Sequence, residues 1–189
     1  MIIMIKRCDW VGTDPAYIEY HDEEWGVQVH DDYKIFEFLL LEGMQAGLSW
    51  ITVLKKRDNF RKAFDNFDPE VIAKYSRRKV DLLMMDHGII RNRQKIESTL
   101  SNARAFLEVR REFGSFDSYI WDFVDRMQIK NRWKRVSNIP SRSVESERLS
   151  RDLIRRGFKF VGPVICYSHM QATGMVNDHI TSCFRYDKV

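Results

Sequence analysis

Apolar residues recur three and four positions apart along almost the whole of this chain, and no stretch sustains an apolar–polar alternation. A strand shows every second residue to one face and a helix every third or fourth, so the pattern predicts an all-α fold. Asp31 or Asp32 starts a helix bearing Ile35, Phe36, Leu39 and Leu40. Ser49 starts another with Trp50, Val53, Leu54 and Phe64. Asp68-Pro69 reads as a helix start, and Ser76 to Met85 as a short amphipathic helix ended by Gly88. A longer helix carries Ile96, Leu100, Ala103 and Leu107 to Gly114. Ser115 to Val124 is a further short one, and Ser143 is an N-cap with Ser146 three residues on. Residues 128–142 are the least regular part and read as a linker. At 189 residues the chain suffices for one sizeable core or for two small lobes sharing a groove.

One stretch stands out chemically: LEGMQAGLSW, Leu41 to Trp50. Glu42 falls on an apolar helix face, where burial of a carboxylate is costly without a partner. Gly43 and Gly47 loosen the helix and permit close approach of a backbone or a flat ligand. Ser49 then resembles an N-cap, with Trp50 on the new helix. A carboxylate and an indole flanking a helix break are the parts of a pocket for a flat, polar or cationic ligand. The competing reading is an exposed Glu at a helix end and a core Trp.

Charge and composition exclude several classes. The net charge is +4 and the pI about 9.0, mildly basic. The basic clusters Arg91–Lys95, Lys130–Arg135 and Arg155–Lys159 suit a phosphate backbone or, equally, solvated helix faces. No run approaches the ~18 apolar residues of a membrane span, so no membrane partner is expected. The apolar start Met1 to Ile5 is too short for a signal peptide. Three cysteines give no disulfide framework, which fits a reducing, cytoplasmic setting.

Two stretches of the second half carry more. In Arg155 to Gly174 a helix ends at Gly157, a short turn runs to Gly162, and a helix begins with Pro163. Backbone N–H groups at a positive helix end suit a phosphate, and Lys159 adds charge. Phe158, Phe160 and Val161 read as core anchors of the turn. In Val176 to Phe184, His179 and Cys183 are four apart and share a face if that segment is helical. Cys8 and His21 stand near the other end with twelve residues between them. Together they are a Cys2His2 set, which would close a structural zinc site. The spacing alone leaves open whether the set is a site or a coincidence. Cys166 reads as a buried small hydrophobe.

These motifs together resemble the bacterial 3-methyladenine DNA glycosylase I family, a zinc-containing branch of the helix-hairpin-helix DNA glycosylases. The resemblance runs from about Lys6 to Tyr186, through RCDWVGTDPAYIEYHDEEWGV, LEGMQAGLSWITVLKKR, GIIRNRQKI, RRGFKFVGPVICYSHMQATG and VNDHITSCF. It implies a single two-lobed all-α domain over 1–189, with a helical lobe near 31–125 and a second lobe from 1–30 plus 126–189. It implies one structural zinc on Cys8, His21, His179 and Cys183. The implied reaction is hydrolysis of the N-glycosidic bond of 3-methyladenine in double-stranded DNA by a monomer. Tyr20, Trp25 and Trp50 would line the base pocket, with Tyr17 a further wall candidate, and Glu42 would be the base-reading and catalytic carboxylate. Gln45 and Leu48 would wedge into the opened stack, and Gly157, Lys159 and Gly162 would hold phosphate, with Arg91 and Arg93 weaker candidates. Pro163 and Val164 stand where bifunctional relatives place a lysine, so no lyase activity is expected. Asp178, in the region of the superfamily's usual catalytic Asp, is expected to cap a helix or orient a zinc ligand. His169, where the family often has an aromatic, bears on packing beneath the hairpin. The alternative is a zinc-stabilised DNA-binding protein of this fold without catalysis.

Overall fold

The computed structural model of the protein describes residues 5–189; the expectation for Met1 to Met4 lies outside the described residues. Ten α-helices make up most of the described chain: α1 Pro15–Glu23, α2 Asp32–Gln45, α3 Trp50–Leu54, α4 Arg57–Ala63, α5 Pro69–Ile72, α6 Arg77–Met85, α7 Arg93–Phe113, α8 Phe116–Trp121, α9 Val144–Arg155 and α10 Pro163–Ala172. The all-α expectation holds apart from one parallel two-residue pair, β1 Ile129–Lys130 with β2 Val176–Asn177.

Local chemistry sets the ends. The side chains of Asp14, Asp31, Asp68, Ser76, Asn92, Ser115 and Ser143 each accept a first-turn amide of the helix they precede. Each such cap is worth about 1 kcal/mol. Ser143 and Ser146 complete a reciprocal capping box.

Helix α2 is the centre of the packing. From Ile35 to Met44 every position but Glu37 is buried, Ile35, Phe36, Phe38, Leu39, Leu40 and Leu41 among them, as in a helix enclosed by others. It packs on α3, α7, α8 and α10. Each buried Leu, Ile or Phe contributes roughly 1.5–3 kcal/mol.

Two expectations about elements need correcting. The helix expected from Ser49 through Phe64 is two helices, α3 and α4, because Lys56 leaves helical geometry between them. The segment holding His179 and Cys183 is a chain of turns after β2, not a helix. Its i,i+4 pair is brought together instead by a turn in which the Cys183 amide donates to the Ile180 carbonyl at 2.8 Å.

Candidate functional site: an aromatic cleft beside a Cys2His2 cluster

Cys8, His21, His179 and Cys183 come together from opposite ends of the chain. All four are buried, and their ligand atoms lie within 4.8 Å of one another. Cys183 Sγ stands 3.4 Å from His21 Nε2 and 3.5 Å from His179 Nδ1, and Cys8 Sγ stands 3.7 Å from His179 Nδ1. A tetrahedron with ordinary Zn–S and Zn–N bond lengths has S···N edges of about 3.6 Å. The donor set therefore fits such an ion in size as well as in type.

The imidazoles are held in the tautomers a metal needs. His21 Nδ1–H donates to Asp22 Oδ1 at 2.8 Å, which leaves Nε2 facing the cluster. Asp22 is fixed in turn by Arg7, whose Nη2 lies 2.6 Å from Oδ2. His179 Nε2–H donates to the Trp25 carbonyl at 2.9 Å, which leaves Nδ1 facing inward. Supporting hydrogen bonds of this kind orient ligands and raise their basicity. The Cys183 sulfur is favoured as a thiolate, first by the Cys8 thiol beside it. Sequence reading missed Arg7 and Asp22. The adjacent pair His21-Asp22 was the available signal.

Beside this cluster opens a cleft of about 520 Å³. Tyr17, Tyr20, Trp25, Trp50 and Glu42 all line it, and so does Trp10, which was not singled out. Trp10 sits two residues beyond Cys8 and meets Trp25 edge-on, with ring centroids 5.1 Å apart. Tyr20 and Trp50 pack at 5.5 Å, and the Tyr17 hydroxyl accepts the Ile51 amide at 3.1 Å, tying α1 to the first turn of α3. The opposite wall is Tyr167, Ser168 and Gln171 of α10 with Val136, Ile139 and Pro140. The stretch read as a linker is thus a wall of the cleft.

Glu42 projects into this space from α2. It is 3% exposed, and burial raises its carboxyl pKa to about 8. Nearby Trp50 Nε1 is buried without a partner among the described residues. A carboxyl kept dry and ringed by electron-rich rings is matched to a flat ligand that is cationic or rich in N–H donors.

The helix break beyond Glu42 is a tight turn. Ala46 has φ −45° and ψ 117°, Gly47 has φ +80°, and the Leu48 amide donates to Gln45 O at 2.6 Å, which is a type II turn. That turn requires positive φ at its third residue and so favours glycine there. Gln45 Nε2 donates to Leu48 O at 3.1 Å, and Leu48 is 41% exposed. Ser49 occupies the N-cap position, but its hydroxyl bonds Thr52 Oγ1 rather than a backbone amide.

The stretch between α9 and α10 is the tight connection anticipated. The Phe158 amide donates to Leu153 O and the Gly157 amide to Ile154 O, closing α9 with Gly157 at φ +93°. Phe158 and Val161 are buried, while Phe160 is half-buried and stands close over Gly43, where an added Cβ would lie 3.4 Å from its Cβ. Lys159 is exposed, and Gly162 caps α10 without a side chain. Of the weaker candidates, Arg93 is engaged by Asp81 and Glu97.

Asp178 has another role than either one expected of it. Its Oδ1 accepts from Asn131 Nδ2 and Trp133 Nε1, and its Oδ2 from the Tyr167 hydroxyl and Gln171 Nε2, each at 2.7 Å. The cap on the His179 amide comes from Asn177, and the partner of the His179 ring is Trp25. Four donors saturate the carboxylate, so it ties residues 131–133 to α10 behind the cleft wall.

The sequence model of the methyladenine glycosylase family matches residues 10–186. The chain belongs to the methyladenine glycosylase family. It is 49% identical over 182 residues to DNA-3-methyladenine glycosylase 1 of Escherichia coli (strain K12), covering 96% of this chain and 97% of that protein. The crystal structure of a 3-methyladenine DNA glycosylase I superposes with a TM-score of 0.93 at 52% identity, over 95% of this chain and 98% of the other. A variant of a 3-methyladenine DNA glycosylase I in complex with 3-methyladenine superposes at 0.92 and 33% identity, over 94% and 96%.

Proposed function

We propose that this protein removes 3-methyladenine from double-stranded DNA by hydrolysing its N-glycosidic bond. The observation that carries the reading is the buried Glu42 carboxyl, without a hydrogen-bond partner among the described residues, inside an aromatic cleft. Methylation at N3 makes the base in DNA cationic and its glycosidic bond labile. Water adds its oxygen to C1′, the bond to the base breaks, the base leaves neutral with the bonding electrons, and one proton is released to solvent. The chain's task is to extract the base and hold it. Tyr20, Trp25 and Trp50 stack on the cation, an attraction of about 1–2 kcal/mol when dry. Tyr17 holds the Trp50 wall, and Glu42, drawn into its ionised form by the positive charge of the base, accepts from the adenine amine and stabilises the cationic form. Gln45 and Leu48 fill the gap left in the stack, and Gly157, Lys159 and Gly162 hold the backbone near the lesion. With Pro163 and Val164 where a lysine nucleophile would stand, the reaction stops at the abasic site.

Cys8, His21, His179 and Cys183 hold one zinc ion, which with four protein ligands is structural. The chain is read as one domain over 1–189 and as a monomer, with lobes near 31–125 and 1–30 plus 126–189. No helix among the described residues is long and apolar enough to cross a membrane, and the three unpaired cysteines suit the cytoplasm.

The test is release of free bases from methylated DNA. Released 3-methyladenine, abolished in Glu42→Ala and Trp50→Ala, supports the glycosylase. DNA binding with no release would favour a helical DNA-binding protein without catalysis.

A further inference from the structure

Among the buried polar side chains of helix α7 are Lys95 and Asn102, seven positions apart. Seven residues are close to two turns, so both point the same way, about 10 Å apart along the axis. Lys95 is 6% exposed. Its Nζ donates to the Met44 carbonyl at 2.8 Å and to the Ala46 carbonyl at 2.5 Å. These belong to the end of α2, where the helix itself supplies no donors. An ammonium there also faces the negative end of the helix dipole. Asn102 does the same for the hairpin: its Oδ1 accepts the Lys159 amide at 2.8 Å and its Nδ2 donates to the Lys159 carbonyl at 3.0 Å.

One edge of α7 therefore grips both elements that meet DNA in the reading above. Neither Lys95 nor Asn102 lines the cleft. Burying an ammonium is costly, and burial indeed lowers the Lys95 pKa. What that cost secures is the position of the turn formed by Gln45 to Leu48 relative to the hairpin.

We propose that Lys95 is a positioning residue for base extrusion, pinning the Gln45–Leu48 turn from α7 while Asn102 pins the hairpin. The inference rests on the reading of that turn as the wedge. Loss of the ammonium frees the last carbonyls of α2 and lets the turn drift, so duplex opening suffers. Of that turn only Gln45 reaches the cleft, whose other walls include Glu42, the rings of Tyr20, Trp25 and Trp50, and α10, so the pocket for an already extruded base is kept.

The experiment uses the metal-loaded full chain with Lys95→Met and Lys95→Gln, each checked for a cooperative melt. Two quantities are compared: the affinity for free 3-methyladenine by tryptophan fluorescence, and single-turnover base release from a methylated oligonucleotide, duplex and single-stranded. The expected result is free-base affinity within about twofold of the parent, duplex release slowed by about tenfold or more, and a smaller loss on the single strand. Leu48→Ala runs alongside. If it releases base from duplex at the parental rate, the wedge reading falls and this proposal with it. If Leu48→Ala is impaired, then parental duplex rates in the Lys95 variants overturn the positioning role alone. Equal losses on free base and duplex, or variants that do not fold, also overturn it, since they would make Lys95 a residue of general stability.

Discussion

The Trp25 carbonyl accepts the Nε2–H of His179 at 2.9 Å, while the Trp25 indole forms part of the cleft. One residue thus joins the Cys2His2 cluster to the wall of the cleft through its own backbone. Protein purified without chelator is expected to hold one zinc per chain, and substantially less than one by elemental analysis would contradict the four-ligand site. Stripping the metal should lower the melting temperature by about 10 °C or more. It should also weaken binding of free 3-methyladenine, because Trp25 loses its anchor. Unchanged base affinity in stable, metal-free protein would break the proposed link.

Glu42 predicts opposite effects on binding and on stability. Its carboxyl is pushed up to about 8, from an ordinary value near 4.5. Between those values the folded chain holds a proton that the unfolded chain has lost, so folding stability falls as pH rises from 4.5 to 8. Glu42→Gln removes that penalty. It should be more stable than the parent at pH 8 by a few kcal/mol, roughly, with the gain vanishing near pH 4. The same change should weaken 3-methyladenine binding by about 10–100-fold at pH 8. Thermal melts and titrations of both proteins across that range check the two signs separately.

His169 gives a second pH dependence of the opposite sign. It is fully buried, neither ring nitrogen has a partner among the described residues, and burial lowers its pKa to about 3. Below pH 6.5 the unfolded chain takes up a proton that the folded chain refuses, so stability falls as pH falls. His169→Phe keeps an aromatic ring and should gain on the parent steadily from pH 6.5 to pH 4, by roughly 3 kcal/mol at the lower end. Parallel stability profiles for the two proteins would refute this account.

Asp178 offers a direct contrast between a brace and a base. Asp178→Asn turns one acceptor into a donor and sets it against two of the four donors that face the carboxylate. The expected cost is about 2–4 kcal/mol of stability, together with weaker binding at the Tyr167 and Gln171 wall. A general base would instead show a large loss of kcat with stability unchanged.

Much of this arrangement was legible in the residues, because its signals are local. Asp31, Ser76 and Ser143 sit where caps must be, and α2 and α7 show their period plainly. Glu42 was legible as an anomaly, a carboxylate on an apolar face, and the rings of Tyr17, Tyr20, Trp25 and Trp50 came with the family resemblance, but the far wall was not legible, since Tyr167, Val136 and Ile139 arrive from over ninety residues away. The Cys2His2 set was visible as residue types and became a cluster only through turns around Ile180 that carry no periodic signature. Lys95 was read as one member of a surface basic cluster. Its burial depends on where α2 ends, which its own neighbours in sequence do not encode.

The distance in sequence between the paired ligands has a consequence for synthesis. Cys8 and His21 leave the ribosome early, and His179 and Cys183 some 160 residues later. At ~5–20 residues per second the first pair waits on the order of ten seconds or more for the second. Through that interval Trp25 has no His179 to hold its carbonyl, and the α10 wall of the cleft is unmade. The cluster and the far wall of the cleft are therefore completed only when the last tenth of the chain has been made.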